Sequence, residues 1–357
     1  MDYSLPTELI AQRPIEGSRD GCRLLVYEKA DPQAIGDRLF FELPELLNPG
    51  DLLVFNDSRV LPARFFPVNE RSGKTFEILI LSKVSISSPN IGTQEKQTWN
   101  ALARPKRRLK SGDRLDVSGE LSFRIIEASR DDSPAVLLEV SSNSRAPLPQ
   151  LFERLGYMPI PPYIRDGLSD HRDRDDYQTI FSRNVGSVAA PTASLHFTDS
   201  LLSAIAAKGV HTAWVTLHVG PASILPIREE KEQAADFLRE SYMVPKETMD
   251  LVASTKMSGG RVIAVGTTVA RALESAAIIE ESGHSASGST QSTELIISPG
   301  FSFKALDCLI TNFHQPKSSH LLLISAFLGE PAAEMVYQHA LRSRYRFLSY
   351  GDAMFLG

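Results

Sequence analysis

The sequence predicts an α/β protein: a mixed or parallel sheet domain flanked by helices, with an inserted small β-barrel domain. Three observations lead there. From about residue 175 onward, apolar runs such as "HTAWVTLHVG" and "RVIAVGTT" alternate with amphipathic stretches, the pattern of buried strands joined by crossover helices. Between about 60 and 145 the chain changes to short β-rich runs separated by Gly, Ser, Asp and Pro turns, which fits a small barrel or sandwich. "LLVFND" precedes that region but matches the later buried strands in character, so the β region interrupts a discontinuous domain. The predicted division is 1–59 with 158–357 for the α/β domain and 60–157 for the insert.

Taken in order, "RLLVYE" reads as a strand, followed by a short helical patch, the turn "LNPGD" and the buried strand "LLVFND". Five runs, "RVLPARFFPV", "KTFEILILSK", "TWNALARP", "LSFRIIEAS" and "PAVLLEVS", make the insert. Within it, "ISSPNIGTQEKQ" is expected to be a mobile hairpin loop, and "YMPIPPYI" a proline-rich joint back to the first domain. Thr198 or Asp199 caps a helix that buries Leu201, Leu202 and Ile205 and stops at Gly209. "VARALES" continues "VIAVGTT" as a helix, while "TELIIS" and "CLITNFHQP" repeat the strand pattern. A last helix starts at Ser318 or Ser319, and "ESGHSASGSTQS" is expected to be a partly disordered surface loop.

Composition narrows the class. The 357 residues are 42% hydrophobic and 23% charged with net charge -5, as in an ordinary soluble globular protein too long for one core. No apolar run would span a bilayer, and "MDYSLPTELIAQRP" carries Asp, Glu and two prolines where a signal peptide needs an apolar core. A cytoplasmic, non-membrane protein is expected. Cys22 and Cys308 match no zinc spacing, and H-E-x-x-H, G-x-G-x-x-G and the P-loop pattern are all missing. Zinc hydrolysis, dinucleotide binding and P-loop chemistry therefore lack support.

Polar residues gather at the predicted C-terminal strand ends: Asn56, Asp57, Ser58 and Arg59; His218; Thr267 and Thr268; Asn312 and His314. In an open α/β sheet, ligands bind in the crevice outside those ends. The alternative is that such residues only cap helices and satisfy turns. "SVAAPTASLHFT" (187–198) adds one ionisable group, His196, in a setting poor in charge. There an imidazole stays neutral near pH 7 and can serve as a base, the alternative being a hydrogen-bonded core histidine. Gly266, Thr267 and Thr268 form a strand-to-helix turn whose N–H groups could receive an anion. "RPKRRLKSGD" supplies Arg104, Lys106, Arg107, Arg108 and Lys110, either a solvated turn or a set of phosphate contacts.

Several long, uncommon stretches resemble one family nearly end to end, the S-adenosylmethionine:tRNA ribosyltransferase-isomerases of queuosine biosynthesis. They are "LIAQRP", "GDLLVFNDSRVLPAR", "RPKRRLKSGDRL", "LGYMPIPPYI", "YQTIFSRNVGSVAAPTASLHFT", "VTLHVG", "VIAVGTTVARALES", "LITNFHQPKSSHLLL" and "YRFLSYGDAM". The resemblance implies that S-adenosylmethionine is consumed as a ribosyl donor and that no metal takes part. The ribosyl part would be moved and isomerised onto 7-aminomethyl-7-deazaguanine at the tRNA wobble position, giving epoxyqueuosine, adenine and methionine. A sulfonium acidifies the neighbouring 5'-carbon, so a neutral base in a weakly charged pocket suits the first step.

Roles implied by motif position are these. His196 or His218 is the base, and Thr192 and Ser194 hydrogen-bond the ribose or purine. Asp57 and Arg59 hold the deazaguanine amine or order the pocket, with Asn56 and His314 beside them among the substrate-binding residues. Gly266, Thr267 and Thr268 seat the methionine carboxylate. Arg104, Lys106, Arg107, Arg108, Lys110 and Lys317 meet tRNA phosphates, and the protein acts as a monomer. The chain also departs from the family pattern. "PASILP" fills 221–226 where a Gly-Thr-Phe-x-Pro loop is usual, Arg239 stands for a histidine and Ser194 for a glycine, and Gln315 and His320 are atypical. A divergent relative acting on another acceptor, or a non-catalytic tRNA-binding relative, are the competing readings.

Overall fold

The computed structural model describes residues 2–31, 34–87, 96–105, 108–128, 135–144, 146–220 and 239–357. Its strands, in chain order, begin with β1 (Arg23–Tyr27), β2 (Ile35–Leu39), β3 (Leu52–Asn56), β4 (Ser58–Val60), β5 (Arg64–Phe65) and β6 (Val68–Asn69). They continue with β7 (Glu77–Ser87), β8 (Lys96–Arg104), β9 (Arg114–Val117), β10 (Leu121–Ala128), β11 (Ala135–Ser142) and β12 (Asn184–Ser187). The last six are β13 (His211–Leu217), β14 (Glu240–Met243), β15 (Val262–Val265), β16 (Gln291–Thr293), β17 (Cys308–Asn312) and β18 (Ala353–Leu356).

Nine of them form one mixed sheet in the order β16-β14-β13-β3-β15-β17-β18-β1-β2. The middle four, β13, β3, β15 and β17, run parallel, and antiparallel strands extend the sheet on both sides. Every residue of β3, β15 and β17 is buried, because helices cover both faces. That double cover is why these strands are continuous apolar runs rather than alternating ones. It also leaves four strand ends of the same polarity side by side.

The helices that close those ends begin where the chain chemistry provides a start. Thr198 Oγ1 accepts the Leu201 N–H at 3.2 Å and opens the helix Asp199–Ala207, which ends before Gly209 at φ +82°. Ser318 does the same for the helix Ser319–Leu328 through the Leu321 N–H. The helix Thr267–Glu281 has no side-chain cap; Gly266, at φ +99° and ψ 153°, turns the chain directly from β15 into it. Only glycine reaches that backbone region without strain.

A separate seven-stranded antiparallel sheet, in the order β5-β7-β8-β11-β10-β9-β6, comes from the middle of the chain. Its two edge strands are consecutive pieces of chain, parted only by Phe66 and Pro67, so the sheet curls until its edges share one segment. Phe65 packs against Phe123 and Phe152, each at 5.3 Å between centroids, and the helix Leu148–Leu155 buries Leu148, Leu151 and Phe152 here. β11 alternates between half-buried and buried along its length, the period expected of a strand with one core face.

Several expectations need correction. "TELIIS" is not a buried parallel strand: pairing stops at Thr293, in the short antiparallel strand β16. "ESGHSASGSTQS" is held down rather than loose, with Ala286 fully buried and Gly288 N–H donating to Val244 O at 2.8 Å. β9, β14 and β18 went unrecognised; β9 and β14 have four residues each and mix polar with apolar positions, too short for periodicity to show. Of the expected loop at 86–98, residues 88–95 lie outside the described residues, and the flanking positions belong to β7 and β8. Among the described residues no helix is long and apolar enough to cross a membrane.

Candidate active site

The ends of the parallel strands open into a cleft of about 780 Å³, counted to its open mouth. β15 delivers Gly266, Thr267 and Thr268, and β17 delivers Thr311, Asn312, Phe313 and His314. The turn Thr192–His196 contributes Thr192 and Ala193 to the wall. Tyr163, Tyr177 and Ser349 close the far side. Among the described residues no Asp, Glu, Lys or Arg lines it. Two helices, Thr267–Glu281 and Ser319–Leu328, direct their N-termini at it, so the field from the backbone is positive where the side chains are uncharged. That combination favours an anionic group at the helix ends without trapping it in an ion pair.

Behind the Thr192 wall runs a chain of hydrogen bonds. Thr192 Oγ1 donates to Asn312 Oδ1 at 2.9 Å, and Asn312 Nδ2 donates to His196 Nε2 at 3.1 Å. With Nε2 accepting, the imidazole proton sits on Nδ1, which faces Cys22 Sγ at 3.2 Å. His196 is only 5% exposed and its ring packs 5.1 Å from that of Phe40. Burial pushes its pKa down to about 3, with Arg346 and Arg19 adding to the effect. The imidazole is thus neutral, as expected, but it stands behind the cleft wall and both its nitrogens are engaged. Because the Thr192 proton is committed to Asn312, Thr192 offers acceptor lone pairs to the cleft.

His218 does not line the cleft either. Its ring packs on Gly186, where a Cβ would come within 2.8 Å of Nδ1, and that nitrogen is buried without a partner. Burial lowers its pKa, and the nearby Asp57 carboxylate works against that shift. His314, like its neighbour His320, does face the cleft. Its ring stacks on that of His320 at 5.1 Å, and Nε2 meets Thr311 Oγ1 at 2.9 Å. Burial sets both rings neutral, His314 well below the usual range and His320 down to about 4, the neighbouring His320 also lowering His314. The His314 backbone is pinned from both sides, its N–H donating to Tyr337 Oη at 3.0 Å and its carbonyl accepting from Tyr3 Oη.

The remaining predicted residues divide into those that frame the cleft and those that point away. Asn56 is fully buried; its amide exchanges bonds with Leu217 N and O at 3.0 and 2.9 Å and reaches Thr268 Oγ1 at 3.3 Å. It laces β3 to β13 and to the start of the Thr267 helix. Asp57 accepts from Thr216 Oγ1 at 2.7 Å and, through both carboxylate oxygens, from Asn184 Nδ2 at 3.1 and 3.0 Å, fastening β12 to the large sheet. Arg59 points outward to Glu153, 3.5 Å away. Ser194 is fully buried and its hydroxyl has no partner, so it is packed away from the cleft.

Arg104, Arg108 and Lys110 are exposed on the curled sheet, while Lys106 and Arg107 lie outside the described residues. Lys317 is exposed and pairs with Asp2 at 2.9 Å. Of the atypical positions, Gln315 and His320 line the cleft, Arg239 forms a surface pair with Glu294 at 2.8 Å, and 221–226 lie outside the described residues. Ser318, read from the sequence as a helix start, also lines the cleft, whereas Tyr163, Tyr177 and Ser349 escaped the sequence reading. The only signal of these three was position inside uncommon stretches, "YIRDG", "DYQTIF" and "FLSYGD", that follow no helix or strand period.

Topology and cleft together place the protein among the α/β enzymes that hold a small organic substrate outside the carboxyl ends of parallel strands. Residues 1–356 match the model of a family described as queuosine biosynthesis protein. The chain is 42% identical over 355 residues to the S-adenosylmethionine:tRNA ribosyltransferase-isomerase of Geobacter metallireducens, covering 99% of this chain and 98% of that one. It is 43% identical to the protein of the same name from Aromatoleum aromaticum, covering 99% and 96%. Among solved structures, the S-adenosylmethionine tRNA ribosyltransferase of Thermotoga maritima aligns over 100% of this chain and 99% of its own with TM-score 0.52 and 34% identity. The chain belongs to the queuosine biosynthesis protein family.

Proposed function

We propose that this chain is an S-adenosylmethionine:tRNA ribosyltransferase-isomerase. It transfers and isomerises the ribosyl moiety of S-adenosylmethionine onto 7-aminomethyl-7-deazaguanine at the tRNA wobble position, releasing adenine and methionine. The observation that carries this reading is the near-full-length likeness to enzymes of that name at 41–43% identity. The cleft supports it physically. Among the described residues a cationic sulfonium meets no lysine or arginine there, and a carboxylate finds two helix N-termini.

Within this reading the turn Gly266, Thr267 and Thr268 seats the methionine carboxylate at the start of the helix, where the Gly266 N–H is held by the Ile310 carbonyl and Thr267 and Thr268 present theirs. Thr192 accepts from a ribose hydroxyl, and its acceptor polarity is maintained by Asn312, His196 and Cys22, so that His196 acts as a positioning residue. His314, neutral and facing the cleft, is better placed than His196 or His218 to take the first proton. Asn56 and Asp57 hold the strand ends in register. Arg104, Arg108 and Lys110 meet tRNA phosphates, and the cell compartment that fits this substrate is the cytoplasm.

The curled sheet is read as a barrel-like insert, 60–157, within a domain made of 1–59 and 158–357; the shared edge segment supports closure. Labelled donor tests the chemistry. Ribose-labelled S-adenosylmethionine should leave its label in the tRNA, while methyl-labelled donor should leave none. The reverse pattern would identify a methyltransferase and refute the reading.

A further inference from the structure

Away from the cleft, two half-exposed rings lean together on the curled sheet. Phe66 is 40% and Tyr157 49% exposed, with centroids 5.4 Å apart and planes at 72°. Single exposed apolar residues are ordinary on a protein surface. This pair differs in being held on a fixed frame. Tyr157 exchanges backbone bonds with Arg64 at 2.8 and 3.2 Å, and Gly156 before it lies so close to Pro62 that a Cβ would fall 1.9 Å from the Pro62 carbonyl oxygen.

Cations flank the pair. Arg174 donates to the carbonyls of Glu153 and Gly156, the latter at 3.0 Å, which anchors its guanidinium next to Tyr157, with no carboxylate partner among the described residues. On the other side, Phe65, next to Phe66, is in register with Ile78, and the adjoining Glu77 is in register with Arg104, which brings Arg104 to the same end of β5, β7 and β8 as Phe66. The nearby carboxylates already have partners, Glu77 with Arg64 at 3.3 Å and Glu153 with Arg59 at 3.5 Å. Arg104 has no ion pair among the described residues. Pro161, which lines the cleft, is four positions beyond Tyr157, so the two are at most about 14 Å apart. Arg64 fixes the segment between them by donating to the Ile160 carbonyl at 3.2 Å.

Exposed rings between unpaired guanidiniums match the two faces of a single-stranded nucleotide, a flat base and a charged phosphate. We propose that Phe66 and Tyr157 are a stacking platform for an unpaired base of the tRNA anticodon loop near the nucleotide in the cleft, with Arg104 and Arg174 on the adjoining phosphates. This rests on the reading that tRNA is the acceptor. The platform holds the loop so that the wobble nucleotide reaches the strand ends.

The test uses the full chain and an anticodon stem-loop RNA carrying 7-aminomethyl-7-deazaguanine, with RNA affinity and S-adenosylmethionine affinity measured separately. Phe66→Leu with Tyr157→Leu keeps apolar bulk but removes both rings, and should weaken RNA binding about tenfold to a hundredfold with donor affinity unchanged. Phe66→Tyr with Tyr157→Phe keeps the rings and should bind as the parent does. Arg104→Ala should lower the salt slope of RNA binding by about 0.7. RNA affinity unchanged in the leucine variant overturns the platform, as does a joint loss of RNA and donor binding, which marks a disturbed fold. If the parent binds no stem-loop at all, the tRNA reading itself falls; binding and turnover by a parent whose leucine variant is unaffected removes only the platform.

Discussion

Replacing His196 with Gln separates a buried positioning imidazole from an accessible catalytic one. In the folded protein His196 is neutral with a pKa near 3, whereas an unfolded chain has the ordinary value near 6.5. Between those values the unfolded state binds a proton that the folded state refuses, so stability falls as pH falls from 6.5 toward 3 and is fully present above 6.5. One such group contributes about 1.4 kcal/mol per pH unit in that window. A glutamine can accept from Asn312 and face Cys22 without titrating. The stability difference between the parent and His196→Gln should therefore shift by about 2–3 kcal/mol between pH 6.5 and 4.5, the parent losing more. Comparing the two proteins cancels the buried and paired carboxylates, which titrate in both. Urea midpoints measured across that range provide the assay. A difference that stays constant with pH would refute the burial argument and return His196 to the list of accessible bases.

Other expectations follow from the same geometry. Thr192→Val keeps the shape but removes the acceptor, and should lower kcat/KM by about tenfold, the worth of one hydrogen bond; unchanged kinetics would detach Thr192 from the substrate. Gly266→Ala forces a side chain into φ +99°, ψ 153° at an estimated cost of about 1–3 kcal/mol, and should raise the KM for S-adenosylmethionine as the Thr267 helix start shifts. Because burial holds His320 near pKa 4 and His314 well below the usual imidazole range, kcat/KM should show no imidazole ionisation between pH 6 and 8. An inflection there that disappears in His314→Gln would show the stacked pair to be solvated and charged.

Much of this was legible before any coordinates, for identifiable reasons. Strands buried on both faces, β3, β15 and β17, announce themselves as apolar runs, and Thr198, Ser318 and Gly266 mark helix starts by local chemistry. The convergence of Thr267, Thr268, Asn312 and His314 followed from the parallel order of the sheet. Direction was the part that could not be read. Ser194 directly follows the wall residue Ala193 and His196 lies three residues on, yet the tight turn Thr192–His196 points both inward, and one residue of phase decides the outcome. Arg59 likewise adjoins the strand end but reaches the helix Leu148–Leu155 instead. Tyr163, Tyr177 and Ser349 come from irregular segments brought together only by the tertiary fold.

The central claim is that this cleft, free of charged side chains among the described residues, builds a new carbon skeleton on a tRNA base from S-adenosylmethionine. Mass analysis of nucleosides from tRNA carrying 7-aminomethyl-7-deazaguanine, after incubation with the protein and S-adenosylmethionine, tests it most directly. Epoxyqueuosine in the digest together with one adenine released per modified nucleoside is the predicted result. Unaltered 7-aminomethyl-7-deazaguanine, with donor and tRNA both demonstrably bound, would contradict the account and direct attention to Gln315 and His320 as marks of a different acceptor.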